Sequence, residues 1–297
     1  MKTVFHLVNR NRKLYFKDKG MFFTSLITPL ILIVLYGTFL EKVYKDSFSS
    51  ALPAGFMIED ALLNGCVRSQ LCSALLAVSC ITVAFCVNLT MVQDKVTGAR
   101  KDFLISPVQP YKLALGYYIA TVINTILVNL VAFGICLLYI GSCGWQLTVG
   151  DITYLLLDIF FLVLFGTGLS SVICFPLSTQ GQLSAVGTIV SAGYGFICGA
   201  YMPISNFGEG LQKVLSYFPG TYGTAMLKNH AMRGVFEEMH NVGFPNEVVE
   251  GIKASLDCTP QFRGEVVSVN QMMAVMLATV TILMGIYVLM NRFYKIK

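Results

Sequence analysis

Charge is scarce in this chain, and its absence from long stretches is the first thing the sequence says. Asp, Glu, Lys and Arg make up 12% of 297 residues, about half the share in an ordinary soluble protein. None occurs between Gly20 and Leu40, from Ser69 to Gln93, between Leu113 and Gly150, from Ile159 to Gly208, or from Val266 to Asn291. Ten-residue segments of alternating polarity are missing too, which excludes a membrane β-barrel. There is no H-E-x-x-H among the three histidines, all outside the apolar runs, and no G-x-S-x-G. A single acid inside the runs, Asp158, excludes an intramembrane aspartyl pair. No G-x-x-x-x-G-K-[ST] loop exists to cradle phosphates. The nine cysteines form no C-x-x-C pair and no zinc-like spacing. No catalytic residue and no metal site is therefore expected. Internal repeats and low-complexity linkers are absent as well.

What is present is a set of runs long enough to cross a membrane, since about 20 apolar residues span ~30 Å of hydrocarbon. The spacing predicts six spans, near 21–40, 70–92, 113–140, 152–175, 183–201 and 271–290. The polar stretch Pro176–Gln182 separates the fourth from the fifth. The first run follows a charge-rich stretch and reads as a retained anchor rather than a cleaved signal. Pro29 inside it predicts a kink.

Orientation follows from lysine and arginine. With the N-terminus inside, segments 1–20, 93–112, 176–182 and 291–297 hold 13 of the 21 basic residues and only Asp18, Asp94 and Asp102 as acids. Both termini are then cytoplasmic. Residues 1–20 form one unit, a basic amphipathic helix on the inner leaflet with Val4, Leu7, Val8, Leu14 and Tyr15 at helical spacing. A plain positive-inside anchor accounts for the same residues. Residues 21–297 form the membrane unit, with an external loop at 202–270. Within that loop Leu211, Val214, Leu215 and Phe218 show helical spacing, and Val248, Val249, Ile252 and Leu256 predict a small external cap. Six cysteines fall in spans as small apolar residues. Cys66, Cys143 and Cys258 would face outside, either as free thiols or with one disulfide among them.

The cytoplasmic stretch "DKVTGARKDFLISPVQPYKLALG", Asp94 to Gly116, has more order than a connection needs. Asp94 to Leu104 reads as a short charged helix. Pro107 and Pro110 close it, because they remove backbone donors and bias Ser106 and Gln109 away from helix. Such a segment suits force transfer to another protein; from spacing alone, an interfacial loop anchored by Tyr111 and the lysines is the favoured reading.

In its order of an acidic residue, a glycine, a Ser-Pro and a second glycine, the stretch resembles the first cytoplasmic loop of ABC exporter permeases of the drug, antibiotic and polysaccharide type. Here these are Asp94, Gly98, Ser106-Pro107 and Gly116. A second stretch, "GAYMPISNFGEGLQKVLSYFPGTYGTAMLKN", is similar to the exit of the fifth span in that family, through Gly199, Tyr201, Pro203, Pro219, Thr221, Tyr222 and Lys228. The family often has Glu where Gln93-Asp94 stands here.

The resemblance implies an all-α polytopic membrane protein: six transmembrane helices, an amphipathic N-terminal interface helix, a cytoplasmic coupling helix and a helical external re-entrant segment marked by Pro203, Pro219 and Tyr222. It implies a half-transporter in the cell membrane, bacterial by that likeness. A second permease subunit, identical or related, would complete the path. A separate ATP-binding cassette ATPase would carry ATP and Mg; this chain binds no cofactor, and no nucleic-acid partner is implied. The residues implied to couple to the ATPase are Asp94, Gly98, Arg100, Lys101, Asp102, Ser106 and Pro107.

Two small-residue stripes are candidates for the path or the dimer interface: Ser73, Ala77, Cys80 and Asn88 in the second span, and Gly187, Ser191, Gly195 and Gly199 in the fifth. Close helix packing explains the same spacing. Asp158 is a candidate polar site within the membrane, where burying a charge demands a partner or a cavity. It either hydrogen-bonds upward or lines a path. Asn88-Leu89-Thr90 fits a glycosylation pattern but falls in a predicted span. The competing reading is an ion-coupled carrier or a membrane scaffold without a cassette partner. Cargo stays open among amphipathic drugs, antimicrobial peptides, lipids and glycan precursors.

Overall fold

The longest helix, Asp60–Val96, has 37 residues, about 55 Å at 1.5 Å per residue, and nearly all of its length is buried. The computed structural model describes residues 2–42, 44–46, 59–106, 108–142 and 145–293. In chain order the helices are α1 (Lys2–Lys17), α2 (Lys19–Leu35, running into a π-turn at Tyr36–Leu40), α3 (Asp60–Val96), α4 (Ala99–Ile105) and α5 (Pro110–Gly141). Then come α6 (Val149–Cys174), α7 (Gln180–Ile197), a 3-10 turn (Ile204–Asn206), α8 (Glu209–Leu215), α9 (Pro219–Asn241), α10 (Asn246–Ser255) and α11 (Val269–Phe293).

The central post is α3. Between Leu71 and Val92 its residues are almost all apolar or small on every face, so this stretch has no polar side to turn to solvent, and α2, α5, α6, α7 and α9 all pack against the helix. Five helices are long and apolar enough to cross a membrane: Lys19–Leu40, Asp60–Val96, Pro110–Gly141, Val149–Cys174 and Val269–Phe293. The segment expected as the fifth crossing folds as the helix α7, 18 residues long, which is not among these five. It falls short of that apolarity because Gln180 and Gln182 occupy its first turn, where Gln182 forms a capping box with Thr179.

The two ends of the bundle differ. At one end lie α1, α4, the 175–179 turn and the close of α11, where Tyr287 contacts Met91 and Phe175. The inward face of α1 is Leu7, Asn11 and Tyr15, spaced four apart. Leu7 packs on Gly116 so closely that a Cβ there would lie 2.7 Å from its own Cβ. The opposite end carries α10 and a two-residue antiparallel hairpin, Gln261–Phe262 with Glu265–Val266. The predicted cap face is seen: Val249 and Leu256 are buried and Val248 and Ile252 partly so, against Met232, Phe236 and Met239 of α9. Cys66 and Cys258 are free thiols buried in that same small core; Cys143 and Pro107 lie outside the described residues.

Candidate functional site

At the basic end, α3 terminates on Asp94. Arg10 of α1 grips that carboxylate with two bonds of 2.6 and 2.9 Å, and Tyr117 of α5 donates a third at 2.5 Å. Three helices are thereby tied at one buried acid. Planar, two-point pairing is the geometry a guanidinium is shaped for, and the bond to Asp94 raises the Arg10 pKa further. Arg10 also lies over the Phe103 ring, 4.9 Å from its centre, which joins the cluster to α4. Next along, Lys95 donates to the backbone carbonyls of Phe175 and Leu177, so the turn between α6 and α7 is clamped to the end of α3.

The short helix expected from Asp94 begins instead at Ala99. The long helix runs on to Val96, and the break comes at Gly98, whose φ of 84° is left-handed, a conformation that costs little only for glycine. Asp94 is thus a residue of the post and not of the projecting helix. Arg100, which the resemblance implied as a residue coupling to the ATPase, is buried, with its guanidinium 5.2 Å from the centre of the Phe175 ring. Outward-facing instead are Lys101, Asp102 and Ile105, the last 86% exposed. Ser106 donates back to the Phe103 carbonyl at 2.7 Å and closes the helix. An apolar tip at Ile105 was not legible in the sequence, where isoleucine in a greasy chain carries no signal.

The two small-residue stripes separate. Ser73, Ala77, Cys80 and Asn88 are all buried within the chain, where they form its core and no outer face. Asn88 donates to Ser170 and Ser171 of α6, each at 3.0 Å. On α7, by contrast, Gly187 and Ser191 border a cleft of about 950 Å³ between α2 and α7, with Thr28, Ile31 and Thr188 among its other walls. Gly195 and Gly199 instead build the turn that ends α7: Ala200 and Tyr201 donate back to the Gly195 carbonyl, and Gly199 has a φ of 72°.

That turn is clamped by Lys228 of α9, fully buried, which donates to the Gly199 carbonyl at 2.8 Å and the Leu256 carbonyl at 3.0 Å. Asp257 faces it at 3.8 Å and accepts from the Ile204 amide; burial pushes the Asp257 carboxyl above its usual range. Pro203 leads into the 3-10 turn, and Pro219 opens α9 at its first position. Tyr222 donates to the Ser216 carbonyl at 2.6 Å. The start of α9 meets the middle of α6, where Phe218 packs on Phe165, and its later turns reach the start of α6, where Arg233 pairs with Asp151 at 2.6 Å.

Between these contacts lies Asp158. His230 meets it at 2.6 Å through Nδ1, and Tyr154 stacks on the imidazole with ring centres 4.9 Å apart. The sequence placed all three histidines outside the apolar runs, yet the fold returns His230 to the level of Asp158 because α9 doubles back along α6. The need for a partner was readable from the buried acid; which histidine supplies it was not. Among the described residues no three His, Cys, Asp or Glu side chains gather as a metal-binding set.

Residues 2–229, more than half of the chain, match the family model of the ABC-2 type transporter. No curated protein matches the chain.

Proposed function

This chain belongs to the ABC-2 type transporter family, the multi-pass membrane component of an ABC transporter, and from that premise we propose that it is the permease half of an ATP-driven exporter. Two such subunits form the path, and a separate cassette ATPase docks beneath each. The described helices act as six crossings, with α7 as the fifth and the segment from Pro203 to the start of α9 re-entering from outside. Both termini are cytoplasmic, in keeping with the excess of basic residues at the end that carries α1 and α4.

The observation that carries this reading is the placement of α4. It projects from the end of the most buried helix through one glycine, with Lys101, Asp102 and Ile105 facing away from the protein. A push on that face reaches α3 directly and reaches α1 and α5 through Asp94. The α2–α7 cleft, bordered by small polar residues of a crossing whose own apolarity is weak, suits a surface that opens toward a second subunit and cargo.

The test is co-purification with a cassette ATPase of the same cell, followed by hydrolysis and transport in lipid vesicles. Ile105→Asp with Lys101→Glu should leave the permease folded but abolish ATPase recovery and cargo movement. Transport that survives this double change, or that proceeds with no ATPase present, overturns the reading. The latter outcome would favour an ion-coupled carrier, for which the His230–Asp158 pair is the natural proton-bearing group.

A further inference from the structure

We propose that a groove between α1 and α5 is a binding site for one anionic phospholipid. The groove measures about 620 Å³ and has two chemically distinct halves. One half presents Arg12, Lys112, Asn9 and the Tyr111 ring; the other presents Val4, Phe5, Val8, Ile119 and Ile123.

The charge in the first half is uncompensated. The sixteen residues of α1 contain no acid, and its Arg10 is already taken by Asp94. Among the described residues Arg12 bonds only to the amide oxygen of Asn9, at 3.1 Å, and Lys112 lies 5.7 Å from the centre of the Tyr111 ring. Neither has a carboxylate partner among the described residues. A phosphate oxygen accepts from both cations where no side chain does.

The second half continues into the surface that faces hydrocarbon. Ile119 starts an exposed stripe that climbs α5 through Leu127, Val131, Ile135 and Leu138, and Phe5 is 67% exposed across from it. The close approach of Leu7 to Gly116 fixes α1 against α5 and so gives the groove a rigid floor. A ligand with an anionic head and a long apolar tail satisfies both halves at once, and phospholipid of the leaflet around α1 has that chemistry. A soluble anion would leave the apolar half unused.

The site is tested without ATPase or cargo, so its failure and that of the transport reading are separable. The full chain is purified, delipidated and titrated with phosphatidylglycerol or phosphatidylcholine, with retained lipid read by native mass spectrometry and Tm read in parallel. One phosphatidylglycerol per chain should be retained in preference to phosphatidylcholine. R12Q with K112Q should weaken it by about thirtyfold, and K112Q alone should weaken it part-way, with Tm in phosphatidylcholine unchanged. K13Q with K17Q removes as much charge from α1 outside the groove and should leave retention intact. Equal retention of the two lipids, equal loss in both double variants, or equal affinity for inorganic phosphate overturns the proposal.

Discussion

Arg10 and Asp94, 84 positions apart, form a two-point ion pair of 2.6 and 2.9 Å at the foot of the central helix. The acid's side chain is 8% exposed and the arginine's 32%. Truncating one member of a buried pair leaves the other charge uncompensated, at a cost of about 3–5 kcal/mol for full burial. Because Arg10 is a third exposed and can rehydrate, Asp94→Ala should cost roughly 2–3 kcal/mol. Thermal unfolding in detergent reads it. Arg10→Lys should recover only part of the stability, since an ammonium cannot bridge both oxygens. Equal stability of all three proteins would show that the pair does not hold α1 in place.

Gly98 sets the direction of α4. A side chain in its left-handed conformation costs about 1–2 kcal/mol, which the short helix can relieve by turning. Gly98→Ala should therefore lower ATPase stimulation by cargo severalfold while shifting Tm by only a few degrees. Hydrolysis measured with and without cargo separates the two effects; unchanged stimulation would remove Gly98 from the coupling path.

The Asp158–His230 contact should behave as a coupled pair. His230→Ala leaves a buried acid without its partner and should cost about 3–5 kcal/mol. Asp158→Asn combined with His230→Gln restores neutrality and should recover most of that loss. A double-mutant cycle that shows additivity within about 0.5 kcal/mol would mean the two side chains do not interact.

Asp257 gives the α10 end of the bundle a pH dependence with a defined sign. Burial, its largest influence, raises the folded-state pKa above the unfolded value, while Lys228 and the backbone amides of Ile204 and Ser205 pull it back. For a raised acid the fold favours the protonated form, so the associated stability is complete below the ordinary carboxylate range of about 4. It is lost as pH rises through the higher folded value. Hydrogen exchange of the 256–259 amides, followed from pH 4 to 7, should show protection falling with pH in the wild type and a flatter profile in Asp257→Asn. A wild-type profile that rises with pH would reverse the assignment.

Much of the architecture was legible from hydropathy. Charge-free runs announced the long apolar helices, and the apolar face of α10 was readable from its spacing, whereas Pro110, expected to close the short charged helix, opens α5. The end of α3 was harder. Local pattern gave a helix starting at Asp94, but that acid is held by α1 and α5, and the long helix persists until the left-handed turn at Gly98.

The stripe Ser73, Ala77 and Cys80 shows why small residues mislead: a close intramolecular contact and a close intersubunit contact demand the same side chains. On α7 the same pattern borders an open cleft at Gly187 and Ser191, and only the neighbouring helices show which small residues are packed and which are open.

By itself the sequence determined that this protein lives in a membrane and is helical, because hydrocarbon admits no unpaired backbone and the length of each apolar run is a direct measure of thickness. The tertiary structure alone decided which charges meet. Arg10 with Asp94, His230 with Asp158 and Lys228 with Asp257 are each set by how helices remote in sequence pack, and a buried charge declares in the sequence that it needs a partner without declaring which.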